Sequence, residues 1–260
     1  MLNELLKEPR KLNTITKYPS ILTYHQLGKK GTVIEELTSQ YYECSDEEIL
    51  EGTEKANGTN TRIIICGQDY LIGTREEIIY AKGDRIRNDQ LSILSNCIPI
   101  AEKLISANLF NSDELFVIYG ENYGKNIGDG YKNYTTKEVA FKVFDIWALY
   151  VDEIKELLNM ELNQLATWRE HGNQPYFSIN KLKEYCEVLK LEKTPVLFTI
   201  KKKELPTSIE DMYEFLSQFK ETRIGLDCVG KSEGFVVRSS DKKYIKKVRF
   251  EEYEKTLKIK

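Results

Sequence analysis

The chain has 260 residues and a formal net charge of −3. That length suits one large domain or two small ones, either able to bury a core. The charge excludes a uniformly cationic binder, so any surface for nucleic acid must gather its basic residues on one face.

Hydrophobic residues make up 41% of the chain and charged residues 30%, the composition of a globular protein. No stretch approaches the roughly 18 apolar residues of a membrane span. The first twenty residues lack an apolar core and a small-residue cleavage site, so no secretory leader is expected. The five cysteines are Cys44, Cys66, Cys97, Cys186 and Cys228. Their odd number and the lack of a CxxC pair argue against a disulfide framework and a zinc site. A reduced, cytoplasmic setting is expected.

Along the chain, the acidic run Asp46-Glu47-Glu48 comes just before a strand-like region. Short apolar runs predict strands over residues 62–66, 69–72, 115–119, 141–146, 195–200, 234–238 and 243–248. Helical spacing predicts helices over residues 89–107, 147–159, 179–189 and 209–218, with Ser178 and Ser208 as N-caps of the last two. There is no internal repeat and no regular βαβ alternation, so the fold class is α+β. The Gly-rich run 120–130, GENYGKNIGDG, has neither Walker A nor GxGxxG spacing and reads as a hairpin loop after a strand.

The chemistry concentrates at Glu54-Lys55-Ala56-Asn57-Gly58-Thr59-Asn60. A KxxG match alone is weak. Here it stands just before the strand-like run 62–66, which would hold it rigidly, and Gly58 would let backbone approach a ligand. Lysine attacks only as a neutral amine, and with an ordinary pKa of about 10.4 it needs a site that lowers it. In fixed order after Lys55 come Gly73-Thr74-Arg75, then Tyr119-Gly120-Glu121 and Phe144-Asp145-Ile146. Glu233-Gly234-Phe235-Val236-Val237 and the basic run Tyr244-Ile245-Lys246-Lys247-Val248-Arg249 close the series.

This series resembles motifs I, III, IIIa, IV and V of the covalent nucleotidyltransferases, the superfamily of polynucleotide ligases and mRNA capping enzymes. The likeness is closer to its RNA ligase 2 branch, because Thr74-Arg75 is similar to that branch's motif Ia. It runs from about Lys17 to Arg249. The resemblance implies an ATP-grasp-like nucleotidyltransferase fold of antiparallel sheets flanked by helices. It implies a single catalytic domain over 1–260 with no appended C-terminal domain, and ATP with Mg²⁺ or Mn²⁺ bound between the sheets. Lys55 would take AMP from ATP as a lysyl phosphoamide, pass it to a 5′-phosphate end, and a 3′-hydroxyl would then displace it. Glu54, Asn57 and Gly58 would line the nucleotide, with Glu54 beside the adenine. Arg75 would contact AMP or the 5′-phosphate, Glu121 the ribose or a metal, and Phe144 the adenine face. Glu233 would hold the metal, and Lys246 and Lys247 the phosphate. The register of the last motif is open, because Lys246 pairs with Val248 and Lys247 with Arg249 in a Lys-x-basic pattern. The expected partners are RNA ends or nicked duplex, RNA favoured over DNA, with a protein partner possible in place of a missing domain. A DNA ligase, a capping-type enzyme and a nucleic-acid binder on an inactive ligase scaffold are the alternatives.

Elsewhere, His25 and His171 are expected to be structural or surface residues, and Cys66 an inert buried thiol. Trp168-Arg169-Glu170-His171 reads as a helix terminus or loop, with contact to nucleic acid as the other reading. Lys201-Lys202-Lys203 reads equally as a solvated loop or a track for a phosphate backbone.

Overall fold

The computed structural model describes residues 2–259 apart from 41, 43, 90, 129, 136 and 228. Cys228, and Asp129 within the Gly-rich run, therefore lie outside the described residues. The chain divides into two compact units, each formed from three segments.

The first unit comprises Met1–Pro19, Gly58–Gly128 and Glu138–Lys193. Its sheet is antiparallel throughout, in the order Val139–Tyr150, Glu114–Gly124, Thr59–Cys66, Asp69–Thr74, Ile78–Ala81, Asp84–Arg85. Strand alternation sends Ile63, Ile65, Ile72, Phe116 and Ile118 to one face, where they pack with Leu94, Cys97, Ala101 and Leu104 of the helix Ile93–Ser106. The four predicted strands of this unit form, with longer ends than their apolar runs. The helix expected over 147–159 is corrected at its start: residues 147–150 finish the Val139–Tyr150 strand, and the helix is Val151–Leu158. Trp147 is fully buried on that strand, with its indole N–H donating 2.7 Å to the Tyr119 hydroxyl. Strand pairing outweighs the helical spacing there.

The second unit comprises Ser20–Asn57, Asp129–Lys137 and Thr194–Lys260. Its sheet runs Leu22–Thr23, Ile245–Arg249, Gly234–Ser239, Ile49–Glu54, Val196–Lys201. Only the pairing of Leu22–Thr23 with Ile245–Arg249 is parallel. One face carries Leu50, Phe235, Val237 and Val248 against Met212 and Leu216 of the helix Ile209–Ser217 and Phe250 and Tyr253 of Phe250–Leu257. Ser178 and Ser208 cap their helices, accepting from the N–H of Lys181 and of Asp211. The mixed helices and antiparallel sheets are the fold class that the sequence predicts.

Three secondary readings resolve here. His25 is fully buried, with Nδ1 2.6 Å from the Tyr253 hydroxyl and Nε2 2.9 Å from the Thr207 carbonyl, a structural role. Trp168 and Arg169 lie in the last turn of the helix Leu162–Glu170, and His171 is its C-cap. Lys201 and Lys203 pair with Glu47, and Lys202 with Asp46, so the acidic run that precedes the sheet neutralises the lysine run. Among the described residues no helix is long and apolar enough to cross a membrane.

Candidate active site

Lys55 follows directly on the strand Ile49–Glu54 and extends its ladder: its N–H donates 2.9 Å to the Gly234 carbonyl. Register pairs Glu54 with Phe235 and Thr53 with Val236. Alternation then places the Lys55 side chain on the face of Thr53 and Val236, opposite the apolar core. Glu233, one residue before the neighbouring strand, meets it there, with Lys55 Nζ 2.7 Å from Glu233 Oε2. Arg249, paired in register with Gly234, brings its Nη1 within 3.9 Å of Glu233 Oε1. Burial alone would lower the Arg249 guanidinium, but its bond to Glu252 and the nearby Glu233 more than offset this, and its pKa is raised.

Gly234 makes this crossing possible. Its φ is +144°, and a Cβ there would lie 2.0 Å from the Val248 carbonyl oxygen. Only a residue without a side chain lets the Glu233 strand pass so close to the basic strand. Gly58 acts in the same way within the first unit, where a Cβ would sit 2.1 Å from the Asn122 carbonyl. Its freedom serves the approach of the protein's own backbone.

On the basic strand Lys246 and Lys247 face opposite ways. Val236 pairs with Lys247 and Val237 with Lys246. Lys247 and Arg249 therefore share the face of Lys55, whereas Lys246 lies on the face of Val237 and Val248. Lys246 is 1% exposed, and its Nζ donates 2.7 Å to the Thr38 carbonyl. The Lys-x-basic pattern on the face of Lys55 is thus Lys247-Val248-Arg249.

Glu54 points the other way, into the protein. Its buried carboxylate accepts from the Thr222 hydroxyl and, at 2.7 Å, from the Arg223 N–H. Burial pushes its pKa up, and these two bonds and the Arg223 charge partly restrain the rise. The Asn57 N–H donates 2.8 Å to the Tyr134 hydroxyl. Thr222, Arg223 and Tyr134 carry no sequence signal, because each acts across a large sequence separation from a segment without a motif.

Arg75, Glu121 and Phe144 belong to the first unit. Arg75 stands exposed beyond the strand Asp69–Thr74, with Nε 3.8 Å from Glu76, at a turn where the Thr74 hydroxyl accepts from the N–H of Glu76 and Glu77. Glu121 is half-buried on Glu114–Gly124, paired with Asn60 and Lys142. Phe144 sits at a bulge in Val139–Tyr150, half-buried, its ring edge-on to Tyr18 at 5.0 Å and stacked on Tyr119 at 6.3 Å. The neighbouring Asp145 is fully buried and accepts from the Tyr18 hydroxyl at 2.6 Å, so the early Tyr18 and the FDI motif are one structural unit.

The family model described as RNA ligase matches residues 48–260, and the chain belongs to that family. No curated protein matches it. Among solved structures it is similar to the Naegleria gruberi RNA ligase with PPi, at a TM-score of 0.54 and 15% identity over 93% of this chain and 64% of that one. A lysine-to-alanine mutant of that ligase with ATP and Mn matches at 0.54 and 14% over 93% and 64%. A lysine-to-methionine mutant with AMP and Mn matches at 0.54 and 14% over 94% and 65%. These likenesses show a shared fold. The chain spans just under two thirds of the length of the ligases it matches.

Proposed function

We propose that this protein is an ATP-dependent RNA ligase that works through AMP carried on Lys55. The observation that carries the reading is the contact of Lys55 Nζ with Glu233 at 2.7 Å, with Arg249 beside it, in a chain of the RNA ligase family. The related ligase structures hold ATP, AMP, Mn and PPi, the reactants and products such a reaction needs.

In the first step the Lys55 amine attacks the α-phosphorus of ATP. The N–P bond forms, the α–β bridging P–O bond breaks, and pyrophosphate leaves. The amine must shed a proton to attack, and in the structure it is ion-paired to the Glu233 carboxylate. Arg249 and Lys247, on the same face, set positive charge where the phosphate oxygens gain negative charge. The AMP then passes to an RNA 5′-phosphate oxygen as the N–P bond breaks. Attack by a 3′-hydroxyl forms the phosphodiester and releases AMP.

A divalent ion fits this site. Among the described residues no cluster of three or more acidic, His or Cys side chains surrounds a point, and Mg²⁺ takes one or two carboxylates and fills its remaining positions with water and phosphate oxygens. Glu233 would hold the ion, which when bound neutralises charge on the triphosphate. Glu121, Arg75 and Phe144 enter the proposal on the motif order alone: metal or ribose, phosphate and adenine respectively. Lys246, placed on the core face, is the weaker of the two lysines for a phosphate contact. A reducing, cytoplasmic setting is part of the reading and rests on the odd number of cysteines and their spacing in the sequence. Nothing in the structure supports a protein partner, which forms no part of the proposal.

The test is a sealing assay on matched nicked RNA and nicked DNA duplexes, with labelled ATP and GTP in separate arms. Sealing of RNA with ATP is expected. Label from GTP alone would indicate a capping-type enzyme, and RNA binding without any covalent label would indicate an inactive scaffold.

A further inference from the structure

Both residues that flank the Lys55-Ala56 pair are tied down by segments outside the motif series. Residues 131–137 fall between two strands of the first unit in sequence, yet they pack within the unit that carries Lys55. There Tyr134, fully buried, accepts the Asn57 N–H at 2.8 Å. Gly130 lies so close to Asn57 that a Cβ would come within 2.6 Å of its Nδ2. The Tyr134 carbonyl accepts from the Leu226 N–H at 3.1 Å, and the loop that holds Leu226 also supplies Thr222 and Arg223 to Glu54. At the far end of that loop, a Cβ on Gly230 would sit 2.4 Å from Asn133 Cα. Lys137 and Asp227 add an ion pair at 2.6 Å. Two loops bonded to each other thus grip the backbone on both sides of the nucleophile.

We propose that Tyr134 is a positioning residue for Lys55. A lysine stem is long and flexible, so its amine is placed only as well as its Cα is fixed. The Tyr134 hydroxyl fixes the stretch after Lys55 through the Asn57 N–H, and the Thr222–Arg223 pair fixes the stretch before it through Glu54. Misplacing a reacting group by about 1 Å can cost on the order of 100-fold in rate. The inference rests on the lysyl-AMP reading and adds to it a residue outside the motif series, acting through the Asn57 backbone.

The experiment is single-turnover formation of lysyl-AMP from labelled ATP and Mn²⁺ by wild type, Tyr134→Phe and Gly130→Ala, across ATP concentration, with thermal unfolding of each. Tyr134→Phe removes one hydroxyl and keeps the ring. Its rate constant at saturating ATP is expected to fall roughly tenfold or more, with the half-saturating ATP concentration kept; loss of the buried bond lowers the unfolding midpoint, and the variant stays folded at the assay temperature. Gly130→Ala, whose Cβ would come within 2.6 Å of the Asn57 side-chain Nδ2, should show the same kinetic split. A wild-type rate for Tyr134→Phe, a change confined to half-saturation, or a loss matching its unfolded fraction would overturn the positioning role. A wild type that takes no label would instead overturn the parent reading.

Discussion

Replacing Gly234 by Ala strikes the crossing on which the site is built. At φ +144° the new side chain meets backbone strain of about 1–3 kcal/mol. Its Cβ would also lie 2.0 Å from the Val248 carbonyl oxygen and 2.9 Å from Arg249 Cα, both backbone atoms that cannot swing aside. Relief requires the two strands to separate locally, which loosens ladder bonds near Gly234. The Lys55 N–H bond to its carbonyl is one of these, each worth about 0.5–1.5 kcal/mol. The sum is roughly 2–5 kcal/mol, a large share of the about 5–15 kcal/mol that holds a typical domain folded. Urea unfolding of Gly234→Ala should show a midpoint well below wild type with an unchanged slope. Lysyl-AMP formation should fall further than the unfolded fraction explains, because Lys55 and Glu233 no longer meet in register. An unfolding midpoint and adenylylation rate equal to wild type would show that the close passage of these strands has been misread.

Lys247→Ala should depress AMP transfer at least tenfold with little loss of stability, whereas Lys246→Ala should act mainly on stability, since its buried Nζ serves the Thr38 carbonyl; rates and urea midpoints of both variants check this. Burial raises the Glu54 carboxyl above its ordinary 4.5, so its contribution to stability is fully present below that value and is lost as pH rises through the raised folded-state pKa. Urea midpoints from pH 4 to pH 8 should therefore decline less in Glu54→Gln than in wild type, and parallel profiles would contradict the sign. Arg62 is fully buried, its pKa pulled down to about 10 by burial, and among the described residues its Nε and Nη1 have no hydrogen-bond partner. Arg62→Met should leave stability unchanged or raise it by about 1–3 kcal/mol, and a loss larger than about 2 kcal/mol would mean that its bond to the Asn13 side chain matters more than the buried charge.

Much of the fold is legible in the residues because short continuous apolar runs such as Ile63–Ile65 and Phe116–Ile118, rich in β-branched and aromatic residues, suit strands buried on both faces. The strand Ile49–Glu54 is legible only as a strand-like region after the acidic run, without bounds, because its residues include Glu51, Gly52, Thr53 and Glu54, and tertiary pairing makes it a strand. In the site, the linear order of motifs singles out Lys55 and Glu233, and the structure brings these two into contact. Alternation alone could have decided between Lys246 and Lys247, had the strand's inward face been known; that face is set by which residues meet the helices Ile209–Ser217 and Phe250–Leu257, a long-range fact. The supports Thr222, Arg223 and Tyr134 were illegible for the same reason: a single backbone N–H or hydroxyl, reached across dozens of residues, leaves no pattern in the chain.

The proposal stands most directly on where AMP becomes attached. After incubation with ATP and Mn²⁺, intact-mass and peptide-mapping spectrometry should find one adenylyl group, on the peptide holding Lys55, acid-labile as a phosphoamide is and absent from Lys55→Ala. An adduct on another residue, or equal labelling of Lys55→Ala, would contradict it.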